Sequence, residues 1–319
     1  MEPHLAAGQF QLFPDQASTF AAHVDALFFF LLAITAFFSI LIAGLIIYFS
    51  IRYRRSASSV PHTHGEPAWL ELTWTIIPFC ITMVIFVWGA RLFALAFHPP
   101  ADAMNIYVVG KQWMWKVQHP QGRREINDLH VPSGRAVRLI MTSQDVIHDF
   151  YIPAFRVKQD VLPGRYTSEW FEPTQPGEYH LFCAQYCGTS HADMIGTVFV
   201  LEPSKYAAWL AESSTGKSMG DTGETLYRQF GCNACHGTRA PTLAGLFRST
   251  VKLENGQTVL ADESYLRESI LAPRAKIVSG YSTIMPTYKG QINEEQLSQI
   301  IEYIKSLRDF RAPEPENKP

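Results

Sequence analysis

Two thiols, an imidazole and a thioether fall within the twelve residues Cys183-Ala-Gln-Tyr-Cys187-Gly-Thr-Ser-His191-Ala-Asp-Met194. This is a soft donor set, and softness of that kind selects copper over magnesium or calcium. A further histidine, His148 in QDVIHDFYIP, follows another strand-like run and can approach from a different loop. One Cys with two His and a weak Met would make a mononuclear copper centre, which leaves the second Cys to place. Two sulfurs bridging two copper ions would use both. The other readings of the pair are a disulfide, which leaves His191 and Met194 at their spacing by coincidence, and a zinc site, which seldom recruits Met.

A second constellation follows about forty residues later, where the amphipathic run GETLYRQFG leads into Cys232-Asn-Ala-Cys235-His236. The C-x-x-C-H arrangement attaches c-type haem, with two thioethers to the vinyl groups and the adjacent His236 under the iron. A redox C-x-x-C would not need that histidine and would sit in a βαβ context that is absent. Met285, in the Pro-containing loop YSTIMPTYKG, is the candidate second axial ligand, and Met ligation raises the reduction potential. Met219 is a weaker rival, because it lies in a Ser/Gly-rich stretch ahead of the haem motif. The order of first helix, C-x-x-C-H, Met-Pro loop and C-terminal helix resembles a small class I cytochrome c. That last helix, NEEQLSQIIEYIKSL, opens on Asn293 and Gln296 as a capping box and carries apolar residues at 297, 300, 301, 304 and 307.

The elements that must position these groups divide the chain. Residues 105–203 are short runs rich in Val, Tyr, Trp, Phe and Thr, punctuated by Pro-Ser-Gly, Leu-Pro-Gly and Gln-Pro-Gly, which favours an all-β sandwich or barrel. Upstream, residues 26–50 are uncharged, and as a helix they would run about 38 Å against a hydrocarbon core of about 30 Å. A second uncharged run starts at Leu72, with Glu71 before it and Arg91 beyond, and Pro78 within it is tolerable in a spanning helix. Two membrane spans, about 26–50 and 72–97, are expected. Arg52, Arg54 and Arg55 lie between them, whereas Glu2, Asp15 and Asp25 precede the first, so the positive-inside bias puts the loop in the cytoplasm and everything after about residue 98 outside. The length of the first apolar run and the lack of a basic leader argue against a cleavable signal peptide.

The expected organisation is an N-terminal segment and helix hairpin over 1–98, a copper domain over 99–203, a linker over 204–221, a cytochrome domain over 222–311 and a disordered tail over 312–319. Composition alone hides this, since 319 residues with a net charge of -2 and 47% hydrophobic content look like an ordinary soluble chain. No Lys or Arg occurs before Arg52, however. The near-neutral balance gives no argument for nucleic-acid binding. The five cysteines divide into two pairs and Cys80, the latter read as a small apolar residue of the second span. His62 and His64 in the inter-span loop, and His119, His130 and His180 in the strand region, lack ligand spacing and are read as solvated or packed.

On these motifs the chain resembles subunit II of the haem-copper cytochrome c oxidases. The stretches that carry the resemblance are ELTWTIIP at 71–78, KQWMWK at 111–116, QDVIHDFYIPAFRVKQDVLPGRYT at 144–167 and the cysteine motif. It implies a two-helix transmembrane hairpin, a cupredoxin-like all-β Greek-key domain and, with the C-terminal module, an all-α class I cytochrome c domain. It further implies a dinuclear copper A centre bridged by Cys183 and Cys187, with His148 and His191 each on one copper and Met194 and the backbone carbonyl of Gln185 as weak outer ligands. Gln185 departs from the common form, which has Glu. A carbonyl ligand is indifferent to that, but the Glu also helps bind magnesium in the family, and a neutral amide is a weaker ligand for a hard cation. Asp160 matches a second position near that ion and compensates only in part. Trp113 matches the aromatic through which electrons enter copper A, against the plainer reading of a strand aromatic in the core. Glu71 matches a carboxylate near a proton path, against that of a first-turn Glu favoured by the helix dipole.

The implied function is subunit II of a caa3-type terminal oxidase in a bacterial inner membrane, with both redox domains on the periplasmic side. Electrons would pass from an external donor through one covalent haem c to copper A and on to subunit I, where oxygen is reduced and protons are translocated. A short tether would raise the effective concentration of the haem domain to the order of millimolar. The alternatives are a copper A nitric oxide reductase subunit, which shares the wiring, and a membrane-anchored copper-binding assembly protein, which has no use for the haem motif. A quinol oxidase subunit would lack the ligands, and nitrous oxide reductase would need a further large domain.

Overall fold

The computed structural model describes residues 13–54, 67–212 and 217–307. Glu2, Arg55, His62, His64 and the tail expected over 312–319 lie outside the described residues. Helices α1 (Thr19–Arg52) and α2 (Ala68–Phe97) overrun the expected spans, and Phe30 and Trp88 meet with ring centroids 5.5 Å apart. Both are long and apolar enough to cross a membrane, and their apolar side chains point outward.

The β region forms two five-stranded sheets. One has the order β3 (Arg124–Ile126), β2 (Met114–Gln118), β1 (Met104–Lys111), β5 (Val137–Ser143), β8 (Thr167–Phe171). The other has β4 (Asp128–Pro132), β10 (Ile195–Leu201), β9 (Gly177–Cys183), β6 (His148–Ile152), β7 (Val157–Val161). Strands β1 and β5 pair in parallel, as do β4 and β10, and the remaining pairs are antiparallel. Period-two alternation turns Ile106, Val108, Trp115, Val117, Leu139 and Met141 of the first sheet toward Leu129, Phe150, Ile152, Leu181 and Val198 of the second.

The sandwich is fastened to α1 where the chain enters the helix. Ser18 caps α1 by accepting from the Ala21 N–H and donates its hydroxyl to the Phe155 carbonyl, 2.9 Å away. Asp25 is buried, and its carboxylate accepts from Arg156 Nε and Nη2 at 2.8 and 2.9 Å. At α2, Trp170 Nε1 donates to the Leu95 carbonyl at 2.9 Å.

The segment expected as a linker over 204–221 is mostly ordered helix. Helix α3 (Pro203–Glu212) packs on the sandwich because Tyr206 and Trp209, three apart, share one face: the Tyr206 hydroxyl meets His119 Nδ1 at 3.1 Å, and Trp209 stacks on His130 at 4.3 Å. Helix α4 (Met219–Gln229) starts three residues before the expected boundary, because Ser218 and Asp221 form a capping box. The C-terminal module adds α5 (Glu263–Leu271) and α6 (Glu294–Ser306), the latter with the expected Asn293–Gln296 box. Helices α4 and α6 cross where Gly223 faces the Gln299 carbonyl, a gap that any Cβ would close. The module is helical but not all-α, since β11 (Thr250–Lys252) and β12 (Thr258–Leu260) form a hairpin. The Asn255-Gly256 pair at its tip, with Gly256 at φ +84°, is the turn signal that the sequence reading passed over.

Candidate functional site

Three strands and a loop converge at one end of the sandwich. His148 opens β6, Cys183 closes β9, Cys187 and His191 lie in the following loop, and Met194 stands directly before β10. The pairing of Phe150 with Cys183, and of Ile195 with Phe182, brings these positions together. The two Sγ atoms are 3.7 Å apart, His148 Nδ1 lies 3.9 Å from Cys183 Sγ, and His191 Nδ1 lies 3.5 Å from Cys187 Sγ. Met194 Sδ is 3.8 Å from Cys187 Sγ, and the Gln185 carbonyl oxygen is 3.2 Å from Cys183 Sγ. His148 and Met194 are fully buried and both thiols nearly so. The separation is too long for a disulfide, and all five cysteines are free thiols. The arrangement thus gathers two sulfurs at the centre, one imidazole beside each, and a thioether and a carbonyl at the periphery.

Burial pushes the Cys183 thiol up, but hydrogen bonds with His148, the Asp149 and Gln185 backbone and Cys187 outweigh it and bring the thiol down to about 7. Cys187 is held up at about 12 by burial reinforced by Cys183. One proton is therefore lost readily, and a cation between the sulfurs must displace the other.

Residues that the sequence reading did not single out hold this set in place. Asp145 Oδ1 accepts from His148 Nε2 at 2.9 Å, which turns Nδ1 toward the sulfurs. Burial pushes the Asp145 carboxyl up, but the Gln112 N–H, the His148 ring and the Val146 N–H together bring it below the ordinary carboxylate range. Gln112 Nε2 donates to the Cys187 carbonyl at 2.8 Å, and Trp113 Nε1 reaches the same oxygen at 3.3 Å. Trp113 lies in the turn between β1 and β2 and not in a strand, half-buried against the sandwich core and next to Cys187. Gln185 lies beside the centre only through its backbone. Asp160 stands exposed in β7 opposite Asp149, whose burial and repulsion by Asp160, against the pull of Lys158, push it up to about 6. Glu71 is exposed in the first turn of α2 and touches neither redox motif. His119 and His130 share Glu125 between them beneath α3, and Cys80 sits exposed on α2, facing outward rather than packed.

The C-terminal module encloses a cavity of about 500 Å³ lined by Cys232, His236 and Met285 together with Leu266, Ile270 and Ile300. His236 Nδ1 donates to the Pro241 carbonyl at 2.8 Å, which leaves Nε2 as the lone-pair nitrogen. Met219 is fully buried in the α4–α6 core and does not line this cavity, whereas Met285 does. An apolar chamber with the Cys232 thiol, an imidazole and a thioether on its wall, and Cys235 three residues along the chain from Cys232, fits a covalently attached haem by its chemistry.

Comparison with known proteins agrees with both halves. Residues 124–200 match the family described as cytochrome c oxidase subunit II, periplasmic domain, and residues 6–92 match its transmembrane domain. A cytochrome c oxidase subunit 2 from Cereibacter sphaeroides is 30% identical over 249 residues, covering 64% of this chain and 80% of that protein. The chain belongs to the cytochrome c oxidase subunit II family. Another relative, cytochrome c oxidase subunit 2 of Alkalihalophilus pseudofirmus, is 29% identical over 299 residues, covering 86% of this chain and 84% of its own. Among solved structures, the periplasmic domain of subunit II of cytochrome oxidase from Bradyrhizobium japonicum is 32% identical, with a TM-score of 0.35, covering 36% of this chain and 95% of its own.

Residues 218–304 of this subunit II match a further family, cytochrome c oxidase, cbb3-type, subunit III, so a cytochrome c domain is fused behind the cupredoxin-like one. The subunit is anchored in a membrane by α1 and α2 and carries its soluble domains on that anchor. It serves an oxidoreductase, the haem-copper oxidase complex.

Proposed function

We propose that this subunit II is the electron-input subunit of a caa3-type terminal oxidase, passing electrons from an external donor through its own haem c to dinuclear copper A and on to subunit I, which reduces oxygen. The observation that carries this is the convergence of Cys183, Cys187, His148, His191 and Met194 within one buried cluster, in the same chain as a C-x-x-C-H cavity. The two groups, when bound, supply reversible one-electron carriers.

The protein side of that chemistry is positional. Cys183 and Cys187 would bridge the coppers, His148 and His191 would take one each, and Met194 and the Gln185 carbonyl would be the distant ligands. Asp145 fixes the ring of His148, and Gln112 fixes the loop of Cys187. Cys232 and Cys235 would hold the haem covalently, and His236 and Met285 would be the ligands offered to its iron. Trp113 would admit electrons from a separate donor, through its contact with the Cys187 carbonyl. Glu71 would stand near the mouth of a proton path in subunit I. Gln185 weakens any magnesium site shared with subunit I, because it offers an amide where the hard cation favours a carboxylate. Arg52 at the end of α1 and Arg54 just beyond it support a periplasmic placement of the redox domains.

The test is an EPR spectrum with metal analysis on the purified complex. A mixed-valence two-copper signal, lost in Cys187→Ser, is expected; copper content without that signal would overturn the dinuclear centre.

A further inference from the structure

The haem module rests against the copper domain on a face that carries no copper ligand. Tyr107 and Ile140 point away from the sandwich core, on neighbouring strands β1 and β5, and each is only 2% exposed because they join the core of the C-terminal module instead. Around this apolar centre the charges are matched. The Tyr107 hydroxyl donates to Glu302 at 2.6 Å, Lys305 Nζ donates to the Tyr107 oxygen at 3.0 Å and lies 3.4 Å from Glu263, and Arg138 approaches Glu263 at 3.7 Å. Lys116 on β2 pairs with Glu295 at 2.7 Å at the rim. Arg267 donates to the Gly164 carbonyl at 3.3 Å while paired with Glu294, and the Met219 N–H donates to the Pro120 carbonyl at 3.0 Å.

An apolar centre ringed by paired charges has the anatomy of a stable interface, and separating them would leave buried charges unpaired. The copper end is different. Val146, Ile147 and Tyr186 are exposed there, at 38%, 43% and 75%. Among the described residues, no hydrogen bond, ion pair or ring contact joins residues 219–306 to Trp113 or to the loop 184–194.

We propose that the haem c module is a fixed electron input docked on the outer face of β1, β2 and β5, and that it does not travel to Trp113. This rests on the copper and haem assignments of the proposed function. One electron leaves the ferrous haem and reduces the oxidised copper pair by one, with no proton or ligand exchanged. The docked face adjoins the centre, since β1 runs three residues from Tyr107 to Gly110, where an added Cβ would lie 3.0 Å from the His148 ring.

The experiment is zero-length carbodiimide coupling of the loaded full-length chain, read by peptide mass spectrometry. An amide between Lys116 and Glu295 is expected, absent in Glu295→Gln. The exposed pair Lys205 and Glu202, 3.0 Å apart, is the internal control. A control cross-link without the Lys116–Glu295 one overturns the docked pose, whichever metals are present. In the cross-linked protein, haem-to-copper transfer after rapid photoreduction should keep its rate and be insensitive to viscosity. A loss of about tenfold or more on cross-linking would show that the module must move and would overturn the fixed input. Absence of the copper or haem spectra would instead count against the proposed function and leave the cross-link result standing.

Discussion

The copper end and the haem module solve opposite problems with the same ligand types. At the copper end each imidazole and the thioether sits within about 4 Å of a cysteine sulfur, in a core already closed by Trp115, Phe150 and Leu181, and strand pairing sets their positions. In the haem module the donors line a chamber of about 500 Å³, and its walls come from α5, α6 and the loops around 240–250 and 273–288. The first site is a detail of a finished fold, whereas the second is a fold with a chamber that a large apolar group would complete. Binding energy therefore tunes the copper domain but contributes directly to the stability of the cytochrome domain.

The strongest way to break that contrast is Cys232→Ala with Cys235→Ala. Covalent haem should vanish from denatured protein, and amide protection in α4, α5 and α6 should collapse, while β6, β9 and β10 retain theirs. Equal loss in both domains would show that the copper domain depends on the module for its fold. Next in size is Met285→Ala. The low-spin Met-ligated spectrum should disappear and the haem potential should fall, because Met ligation raises it. An unchanged spectrum would transfer the axial role elsewhere, although Met219 is committed to the α4–α6 core.

At the copper end the comparable perturbation is smaller and acts through a neighbour. Asp145→Asn removes the charge that orients His148, and a change of this kind costs roughly 10- to 100-fold in metal affinity. Competition with a copper chelator measures it, and thermal stability should move little. If affinity holds, the pairing of β6 alone positions the ring.

The same contrast governs how much could be read from the sequence. The copper loop and C-x-x-C-H were legible because their donors are close in sequence and the spacing itself carries the geometry. Asp145 and Gln112 were not, since Gln112 meets Cys187 across 75 positions and only the fold joins them. The interface was written in the sequence but unread: IYVV in β1 and LIM in β5 are continuous apolar runs where a strand with one wet face would alternate, which signals cover on both sides. Helix α3 was legible as a short helix in KYAAWLAES, but its docking was not, because the partner surface of its stripe, Tyr206 and Trp209, is 70 to 90 residues upstream.

The smallest expected effect sharpens the comparison most, because it asks whether a copper-end residue acts through its side chain at all. Only the carbonyl of Gln185 faces Cys183, at 3.2 Å. Gln185→Glu changes the side chain and leaves that oxygen, so the copper EPR and near-infrared spectra should stay as they are. What should change is the second-cation behaviour: a carboxylate there, with Asp160 on β7, offers a hard cation the ligand type it favours. Manganese EPR in the intact complex should then report a gain in binding for the variant. A shifted copper spectrum would mean that the added charge reaches the centre, and the copper end would prove less insulated from its surroundings than its closed core implies.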